Sequence, residues 1–224
     1  MKQSLFTMEH ARQLTADTYE LVLSGDTSAV TAPGQFVNIQ LPGKFLRRPI
    51  SICTWTEDAL LLLVRVVGEG THDLVRCVPG TELDVLSGLG NGFDWTKGGQ
   101  HPILLGGGIG IAPLYGLAQR MLEAGVTPTV GLGFRSGKDA FYLEEFSKLG
   151  CRLLVATEDG SLGTRGFVTD LARHVPECDY AFVCGPTPML KAVHGLARLT
   201  GGQFSFEARM GCGFGACMGC SVPT

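Results

Sequence analysis

Short runs in which apolar and polar residues alternate dominate the first half of the chain. Residues 19–23 and 35–41 follow this two-residue period, and 50–55, 60–67 and 81–86 are further strand-like runs, with Gly, Pro, Asp or Glu between the runs. Alternation of this kind is typical of β-strands that bury one face. Strands spaced so closely predict an antiparallel barrel or sandwich, which ends at a Gly- and Asn-rich stretch over 88–99.

From residue 102 onward, short apolar runs alternate with helical patterns. The predicted strands are 102–105, 129–134, 152–156 and 180–184, and the helices after them are 112–124, 140–149, 167–174 and 189–199. Strand–helix repeats of this length predict a parallel sheet covered on both faces. We therefore expect three segments: a β-barrel domain over 1–98, a Rossmann-like α/β domain over 99–206, and a cysteine-rich segment over 207–224.

The composition agrees with two packed domains and excludes several classes of protein. The chain has 224 residues, of which 45% are hydrophobic and 17% charged, which argues against disorder. A net charge of −3 without runs of Lys or Arg speaks against nucleic-acid binding. No stretch approaches the roughly 18 apolar residues of a membrane span. The N-terminus also lacks a signal-peptide pattern, so we expect a cytoplasmic protein.

Three of the eight cysteines lie close together near the C-terminus, as Cys212, Cys217 and Cys220. Their C-x4-C-x2-C spacing is that of the plant-type [2Fe-2S] loop. The glycines and Ala216 between them let a backbone wrap tightly around a cluster and point N–H groups at its sulfurs. The alternatives are a zinc knuckle and inert thiols. A cluster needs a fourth ligand and only four residues follow Cys220, so we expect a truncated sequence or, less favoured, a ligand from elsewhere.

Two further glycine-containing segments lie at the carboxyl ends of predicted parallel strands, where open α/β sheets bind ligands. The first contains Gly106, Gly107, Gly108, Gly110, Ile111 and Ala112, and it leads directly into a helix. Amides in such a turn can face a pyrophosphate, although a tight turn without a ligand is the alternative. The second contains Cys184, Gly185, Pro186 and Met189. Cys184 could lie beside a nicotinamide ring or be a buried small apolar residue.

The barrel half offers a candidate flavin site. Arg48, Pro49, Ile50 and Ser51 precede and enter a predicted strand, and Gly70 and Thr71 open a short predicted helix over 71–77. The forked donors of an arginine can bind a pyrophosphate, a serine hydroxyl can donate to a flavin nitrogen, and helix amides can bind phosphate. Taken separately, a solvated charge and an ordinary helix cap are the alternatives.

Taken in order, these segments resemble the ferredoxin reductase-like flavoproteins. Arg48-Pro49-Ile50-Ser51, Gly70-Thr71, Gly106 to Pro113 and Cys184-Gly185-Pro186 are similar to the flavin and nucleotide motifs of that family. The run from Glu207 to Cys220, with Arg209-Met210 before the cysteines, resembles the electron transfer subunits of type B dihydroorotate dehydrogenases.

The resemblance implies FAD, a [2Fe-2S] cluster and NAD as cofactors. It also implies an FMN-containing dihydroorotate dehydrogenase catalytic subunit as partner, in a heterotetramer with two copies of each subunit that serves pyrimidine biosynthesis. Electrons would pass from FMN through the cluster to FAD, and a hydride would leave to NAD+. No nucleic acid or membrane is implied as a partner.

The resemblance also implies roles for single residues. Arg48 would neutralise the FAD pyrophosphate, Ser51 would contact the isoalloxazine, and Gly70 and Thr71 would hold phosphate. Arg65, Val66 and Val67 would flank the flavin through their backbone. The residues of the two glycine-containing segments would bind NAD, with Cys184 beside the nicotinamide, so Ser51 and Cys184 are the candidate catalytic residues.

Two questions stay open at this point. Arg135 follows the second predicted parallel strand, where an arginine favours the 2′-phosphate of NADP, whereas the resemblance favours NAD. A flavin and iron–sulfur NAD(P)H reductase subunit of a sulfhydrogenase or of a ferredoxin:NADP oxidoreductase is the nearest alternative function. A zinc-binding adaptor without catalytic activity is an alternative of another class.

Overall fold

The computed structural model describes residues 1–196, 199–206 and 210–220, and it divides into two compact units. The first unit is Met1–Gly92 together with the described part of the cysteine segment, 210–220, and the second begins at Phe93. The predicted boundary at residue 98 lies at the end of a 3-10 helix, Trp95–Gly98, inside the second unit.

The first unit is a closed antiparallel barrel, as the alternating pattern predicts. Its strands are β1 (Lys2–Gln13), β2 (Thr18–Gly25), β3 (Phe36–Gln40), β4 (Arg48–Trp55), β5 (Ala59–Arg65) and β6 (Glu82–Leu89). They close in the order β1-β2-β5-β4-β3-β6. A short helix, α1 (Glu69–Leu74), connects β5 and β6.

The two-residue period decides which side chains fill the barrel. Val37 and Ile39 of β3, and Ile50 and Ile52 of β4, point into one buried core. The alternate residues of these strands point outward. Phe36 and Ser51 are two of them, and they lie opposite each other in the β3–β4 register. The outer face of β3 and β4 is therefore a surface distinct from the core.

The second unit is a six-stranded parallel sheet flanked by helices. Its strands are β7 (Pro102–Gly107), β8 (Thr129–Phe134), β9 (Arg152–Thr157), β10 (Thr164–Arg165), β11 (Tyr180–Cys184) and β12 (Gly201–Ser205). Its helices are α2 (Ala112–Glu123), α3 (Leu143–Lys148), α4 (Val168–Ala172) and α5 (Thr187–His194), and 3-10 turns span Gly108–Ile111 and Gly137–Asp139. The parallel α/β prediction is confirmed.

The strand order β10-β9-β8-β7-β11-β12 contains one reversal of direction. From β7 the chain adds strands on one side, through β8 and β9 to β10, and then returns to place β11 on the other side of β7. Loops that leave such a pair of strands diverge and open a crevice at their carboxyl ends. The crevice between β7 and β11 is thus where this fold is suited to bind a ligand.

Three strands have no counterpart in the sequence prediction, and one of them, β10, is only two residues long. In β1 only Phe6 and Met8 are buried, so the strand lacks a sustained apolar alternation, and pairing with β2 and β6 stabilises it. In β12 the first two residues are glycines, and the strand forms by pairing with β11. None of the helices within the described residues is long and apolar enough to cross a membrane.

Candidate functional site

Arg48, at the start of β4, lies directly on Gly70 of α1. A Cβ atom placed on Gly70 would be 1.8 Å from Arg48 Nε, so the absence of a side chain at Gly70 makes room for the guanidinium. Arg48 Nη1 donates to the carbonyl of Leu46, and the side chain is half-buried. The structure thus brings together the two sequence-predicted flavin segments, one from a strand and one from a helix.

Arg47 has a different task from its neighbour. Its two terminal nitrogens donate to both carboxylate oxygens of Asp84 on β6, at 3.0 and 2.9 Å. Arg47 Nη1 also donates to the backbone carbonyls of Asp84, at 3.0 Å, and of Asn38, at 3.3 Å. These hydrogen bonds hold the pKa of Asp84 below its usual value. Arg47 therefore joins β3 to β6, and Arg48 is the arginine left beside α1.

Ser51 and Pro49 occupy the outer face of β4, as a flavin contact requires. Ser51 is half-buried, and its hydroxyl has no hydrogen-bond partner among the described residues. Ile50, which the motif also includes, points the other way and belongs to the barrel core. Its role is to seat β4 in the barrel, so it supports the site from behind.

Arg65, Val66 and Val67 leave the end of β5 and lead toward α1. Arg65 Nε donates to Asp17 Oδ2 at 2.8 Å, and the Val66 amide donates to the Asp17 carbonyl at 2.7 Å. Val66 packs against the barrel core, whereas Val67 is exposed. The Arg65 side chain is thus engaged in an ion pair. The segment from Arg65 to Val67 can therefore offer its backbone groups to a ligand.

Thr71 uses its hydroxyl to shape the turn before α1. Its Oγ1 accepts from the amides of Val67, at 2.9 Å, and Gly68, at 3.3 Å, and donates to the Gly68 carbonyl. The amides that begin a helix have no acceptor within it. At this turn, backbone amides rather than the Thr71 hydroxyl are therefore the groups suited to a phosphate.

In the second unit, the two predicted nucleotide segments meet at the crevice between β7 and β11. Gly106 and Cys184 are paired across these strands. A Cβ on Gly110 would lie 2.4 Å from the Cys184 carbonyl oxygen, and a Cβ on Gly107 would lie 2.5 Å from Met189 Sδ. Glycine at both positions is what lets the two loops pack together.

The remaining residues of this crevice differ in what they expose. Cys184 is 2% exposed and Ile111 and Ala112 are buried, so these three line the base of the loops. Gly108 has φ of +54°, and a Cβ there would meet nothing within 4 Å. Pro186 is exposed at the entrance to α5. Open space over the Gly108 backbone, above a helix N-terminus, fits a pyrophosphate.

Arg135 directly follows β8 and is exposed. The neighbouring Ser136 is engaged, because its amide and hydroxyl donate to Asp139 Oδ2 at 3.1 and 2.8 Å. Arg135 is therefore an exposed cation at the carboxyl end of β8, where the sequence predicts the position that distinguishes NADP from NAD.

The cysteine segment provides thiols and N–H donors at short range. The Cys217 amide donates to Cys212 Sγ at 3.4 Å, and this bond together with one from the Phe214 amide lowers the pKa of the Cys212 thiol to about 6. Cys217 Sγ lies near Gly211 and Gly219, whose added Cβ atoms would be 3.3 and 3.5 Å from it. Thiolate ligands surrounded by amides are the donor set of an iron–sulfur cluster.

The three thiols are not gathered around one point. Within 1–196, 199–206 and 210–220, no three Cys, His, Asp or Glu side chains converge as metal ligands. The chemistry of the segment therefore fits a cluster, but its geometry here does not assign ligands. Glu207 and Arg209, which contribute to the sequence resemblance, lie outside the described residues.

One contact of the cysteine segment is not predictable from the sequence. Asn38 on the outer face of β3 donates from Nδ2 to the Cys212 carbonyl at 3.1 Å, and so joins the barrel to the cysteine segment. Its Oδ1 is buried and has no partner among the described residues. The only local signal is an Asn between two apolar residues of a strand, and it does not specify a partner so distant in sequence.

The chain is similar to known proteins along its whole length. A sequence profile of the oxidoreductase NAD-binding domain matches residues 104–195, from β7 to the end of α5. The chain is 41% identical over 231 positions to the dihydroorotate dehydrogenase B (NAD+) electron transfer subunit of Listeria monocytogenes serovar 1/2a, covering 100% of this chain and 90% of that protein. Identity to the subunit of the same name from Geobacillus sp. WCH70 is 42%, with 98% and 89% covered.

Solved structures show the same architecture. The chain is similar to a chain in the structure of an NADH-dependent reduced ferredoxin-NADP oxidoreductase, with a TM-score of 0.86 and 31% identity, covering 97% of this chain and 81% of that one. It also matches a ferredoxin NADP+ reductase from Neisseria gonorrhoeae, solved with bound FAD and NADP, with a TM-score of 0.74. At 15% identity, covering 92% and 100% of the two chains, that match concerns the fold alone.

Identity of about 41% over the full chain exceeds what a shared fold alone requires. It also sets aside the zinc-binding adaptor as an interpretation, because the relatives are redox subunits. This chain belongs to the family of dihydroorotate dehydrogenase B (NAD+) electron transfer subunits, and it is an oxidoreductase subunit with the ferredoxin reductase-like fold.

Proposed function

We propose that this chain carries FAD and a [2Fe-2S] cluster and passes electrons from an FMN-containing dihydroorotate dehydrogenase catalytic subunit to NAD+. Identity of 41% along its whole length to a subunit of that name is the observation that carries the proposal. The two subunits would form a cytoplasmic heterotetramer, two of each, in pyrimidine biosynthesis.

When bound, the cofactors would supply the redox chemistry, which is single-electron exchange at the cluster and hydride transfer between flavin and nicotinamide. The protein's residues bind and orient. Arg48 neutralises the FAD pyrophosphate from its place on Gly70, and the amides at the start of α1 add donors to the phosphate. The Ser51 hydroxyl, which has no partner among the described residues, would be available to donate to a flavin ring nitrogen.

The crevice between β7 and β11 binds the nucleotide. The Gly108 backbone leaves open space for the pyrophosphate, and Gly107 and Gly110 let the second loop close against the first. Cys184 and Gly185 would then position the nicotinamide. The reaction would require no general acid or base from this chain, because hydride transfer needs no proton donor or acceptor.

Cys212, Cys217 and Cys220 are the ligands that this chain offers to the cluster, with the Cys217 and Phe214 amides directed at Cys212 Sγ. Hydrogen bonds to a ligating sulfur stabilise the thiolate and raise the reduction potential. Within the described residues, no Cys, His, Asp or Glu side chain joins these thiols in a group of three or more ligands.

We propose NAD rather than NADP as the nucleotide. The relatives are named for NAD+. Arg135, the side chain that could favour a 2′-phosphate, is exposed to solvent.

A second function is favoured by one observation. The similarity to a chain of an NADH-dependent reduced ferredoxin-NADP oxidoreductase supports a flavin and iron–sulfur reductase subunit of that kind, at the lower identity of 31%.

The test is reconstitution. The full-length chain, co-expressed with an FMN-containing dihydroorotate dehydrogenase subunit, should copurify with it, contain FAD and iron, and reduce NAD+ when dihydroorotate is added. A colourless protein without flavin absorption would contradict the proposal. A yellow-brown protein that ignores dihydroorotate but oxidises NADH with ferredoxin as acceptor would support the second function instead.

A further inference from the structure

Asn38 occupies an unusual position for a polar side chain. It lies on the outer face of β3, between the core residues Val37 and Ile39, yet it is only 1% exposed. The cysteine segment covers it: a Cβ on Gly213 would lie 2.7 Å from Asn38 Nδ2 and 3.6 Å from Phe36 Cε2. The outer face of β3 is therefore the surface on which this segment rests.

The contact is polar and specific. Asn38 Nδ2 donates to the carbonyl oxygen of Cys212 at 3.1 Å, next to the first thiol of the C-x4-C-x2-C run. Asn38 Oδ1 is buried without a partner among the described residues, and leaving a buried acceptor unpaired is unfavourable. A residue that served packing alone would not need an amide here, so the amide nitrogen accounts for the residue type.

The base of this contact is rigid. Arg47 Nη1 donates to the Asn38 carbonyl at 3.3 Å, and the same guanidinium forms a two-point ion pair with Asp84 on β6. Asn38 also pairs with Pro49 in the β3–β4 register, one residue from Arg48 and two from Ser51. The strand whose Asn38 holds Cys212 is thus paired directly with the strand that carries the candidate flavin residues.

We propose that Asn38 is a positioning residue that holds Cys212, and with it the bound cluster, against the flavin-binding face of the barrel. The inference rests on the proposed function, because it concerns a cluster on this segment. Asn38 acts through the Cys212 backbone and touches neither iron nor substrate. Partners outside the ligand set that orient a ligand typically change metal affinity or activity by about 10–100-fold when removed.

The first test compares barrel variants in the full-length chain copurified with its catalytic partner. Asn38→Asp keeps the shape but removes the donor, and Asn38→Leu removes all polarity. Both variants should retain FAD. Their affinity for the cluster should fall by about tenfold, which lowers the ratio of iron to FAD, and the EPR g values of the reduced cluster should change. Gln40→Leu is the control, because Gln40 is on the same face of β3 but donates to Leu41 and Lys44.

The second test approaches the same contact from the cysteine segment, so that the barrel is untouched. Gly213 and Gly215 both have positive φ, +75° and +85°, so alanine is similarly strained at each. A Cβ at Gly213 would push against Asn38, whereas a Cβ at Gly215 would meet nothing within 4 Å. Gly213→Ala should therefore reproduce the iron loss and EPR change of Asn38→Leu and exceed Gly215→Ala in both.

The outcomes separate this proposal from the proposed function. A wild-type complex without iron or flavin would refute the proposed function. A wild-type complex with both, combined with Asn38→Asp and Asn38→Leu variants that match it in iron per FAD and in EPR spectrum, would overturn the role of Asn38 alone. If the Asn38 variants fail to fold, equal behaviour of Gly213→Ala and Gly215→Ala would overturn it as well.

Discussion

Arg48 and Gly70 form a close contact between a strand and a helix that are separated along the chain by β5. The guanidinium lies where a side chain at position 70 would be, with Nε 1.8 Å from the site of an added Cβ. The contact directs the arginine along the start of α1, where helix amides also point. A positive charge and free amides at one place are suited to a pyrophosphate.

Gly70→Ala should weaken FAD binding without destabilising the fold. The methyl group would displace the Arg48 side chain, whereas alanine in a helix is favoured over glycine by up to about 1 kcal/mol. Flavin retained per polypeptide after gel filtration measures the effect. Gly68→Ala is the matched control, because a Cβ on Gly68 meets nothing within 4 Å. Equal flavin retention in the two variants would contradict the role of this contact.

The two adjacent arginines should fail in different ways when truncated. Arg48→Ala should lose flavin while the apoprotein keeps its unfolding temperature, because Arg48 forms no ion pair among the described residues. Arg47→Ala should cost about 1–3 kcal/mol of unfolding free energy, because it leaves Asp84 without its two-point partner. Denaturant titration of the apoproteins, together with flavin titration, distinguishes the two. A loss of stability in Arg48→Ala equal to that in Arg47→Ala would refute the division of roles.

The two glycines at the turn after β7 should also differ. Gly110→Ala should destabilise the second unit, because its methyl group would meet a backbone atom, the Cys184 carbonyl oxygen, which cannot rotate away. Gly108→Ala should cost only the strain of its positive φ, about 1–2 kcal/mol, but should raise the KM for NADH by intruding on the nucleotide. Thermal unfolding and steady-state kinetics with an artificial electron acceptor test both. An unchanged KM in Gly108→Ala would show that the nucleotide lies elsewhere.

Arg135 tests the choice of nucleotide. With NAD as the substrate, Arg135→Ala should leave kcat/KM for NADH nearly unchanged, because the exposed side chain would contact no phosphate. The wild type should also prefer NADH to NADPH. Diaphorase assays with both nucleotides measure this. A wild-type preference for NADPH that Arg135→Ala abolishes would overturn the assignment to NAD.

The elements that could be predicted are those whose signal is local. The strands β8 and β11 were predicted to the residue, because each is a short apolar run bounded by turn residues. In contrast, β1 and β12 carry weak patterns of their own and form because a neighbour offers a free edge. The helix predicted over 189–199 begins earlier, at Thr187, because a proline such as Pro188 is accepted within the first turn of a helix. It ends at His194.

The order of residues along the chain was enough to predict the barrel, the parallel sheet, the glycine turns and the thiol spacing, because each depends on periodicity or composition within a short window. Which side chains act together was not predictable in this way. Asn38 meets Cys212 across 174 positions, and Arg47 meets Asp84 across 37, only after the barrel has closed. A lone Asn or Arg in a strand carries no record of its partner, because a hydrogen bond depends on distance in space and not on separation along the chain.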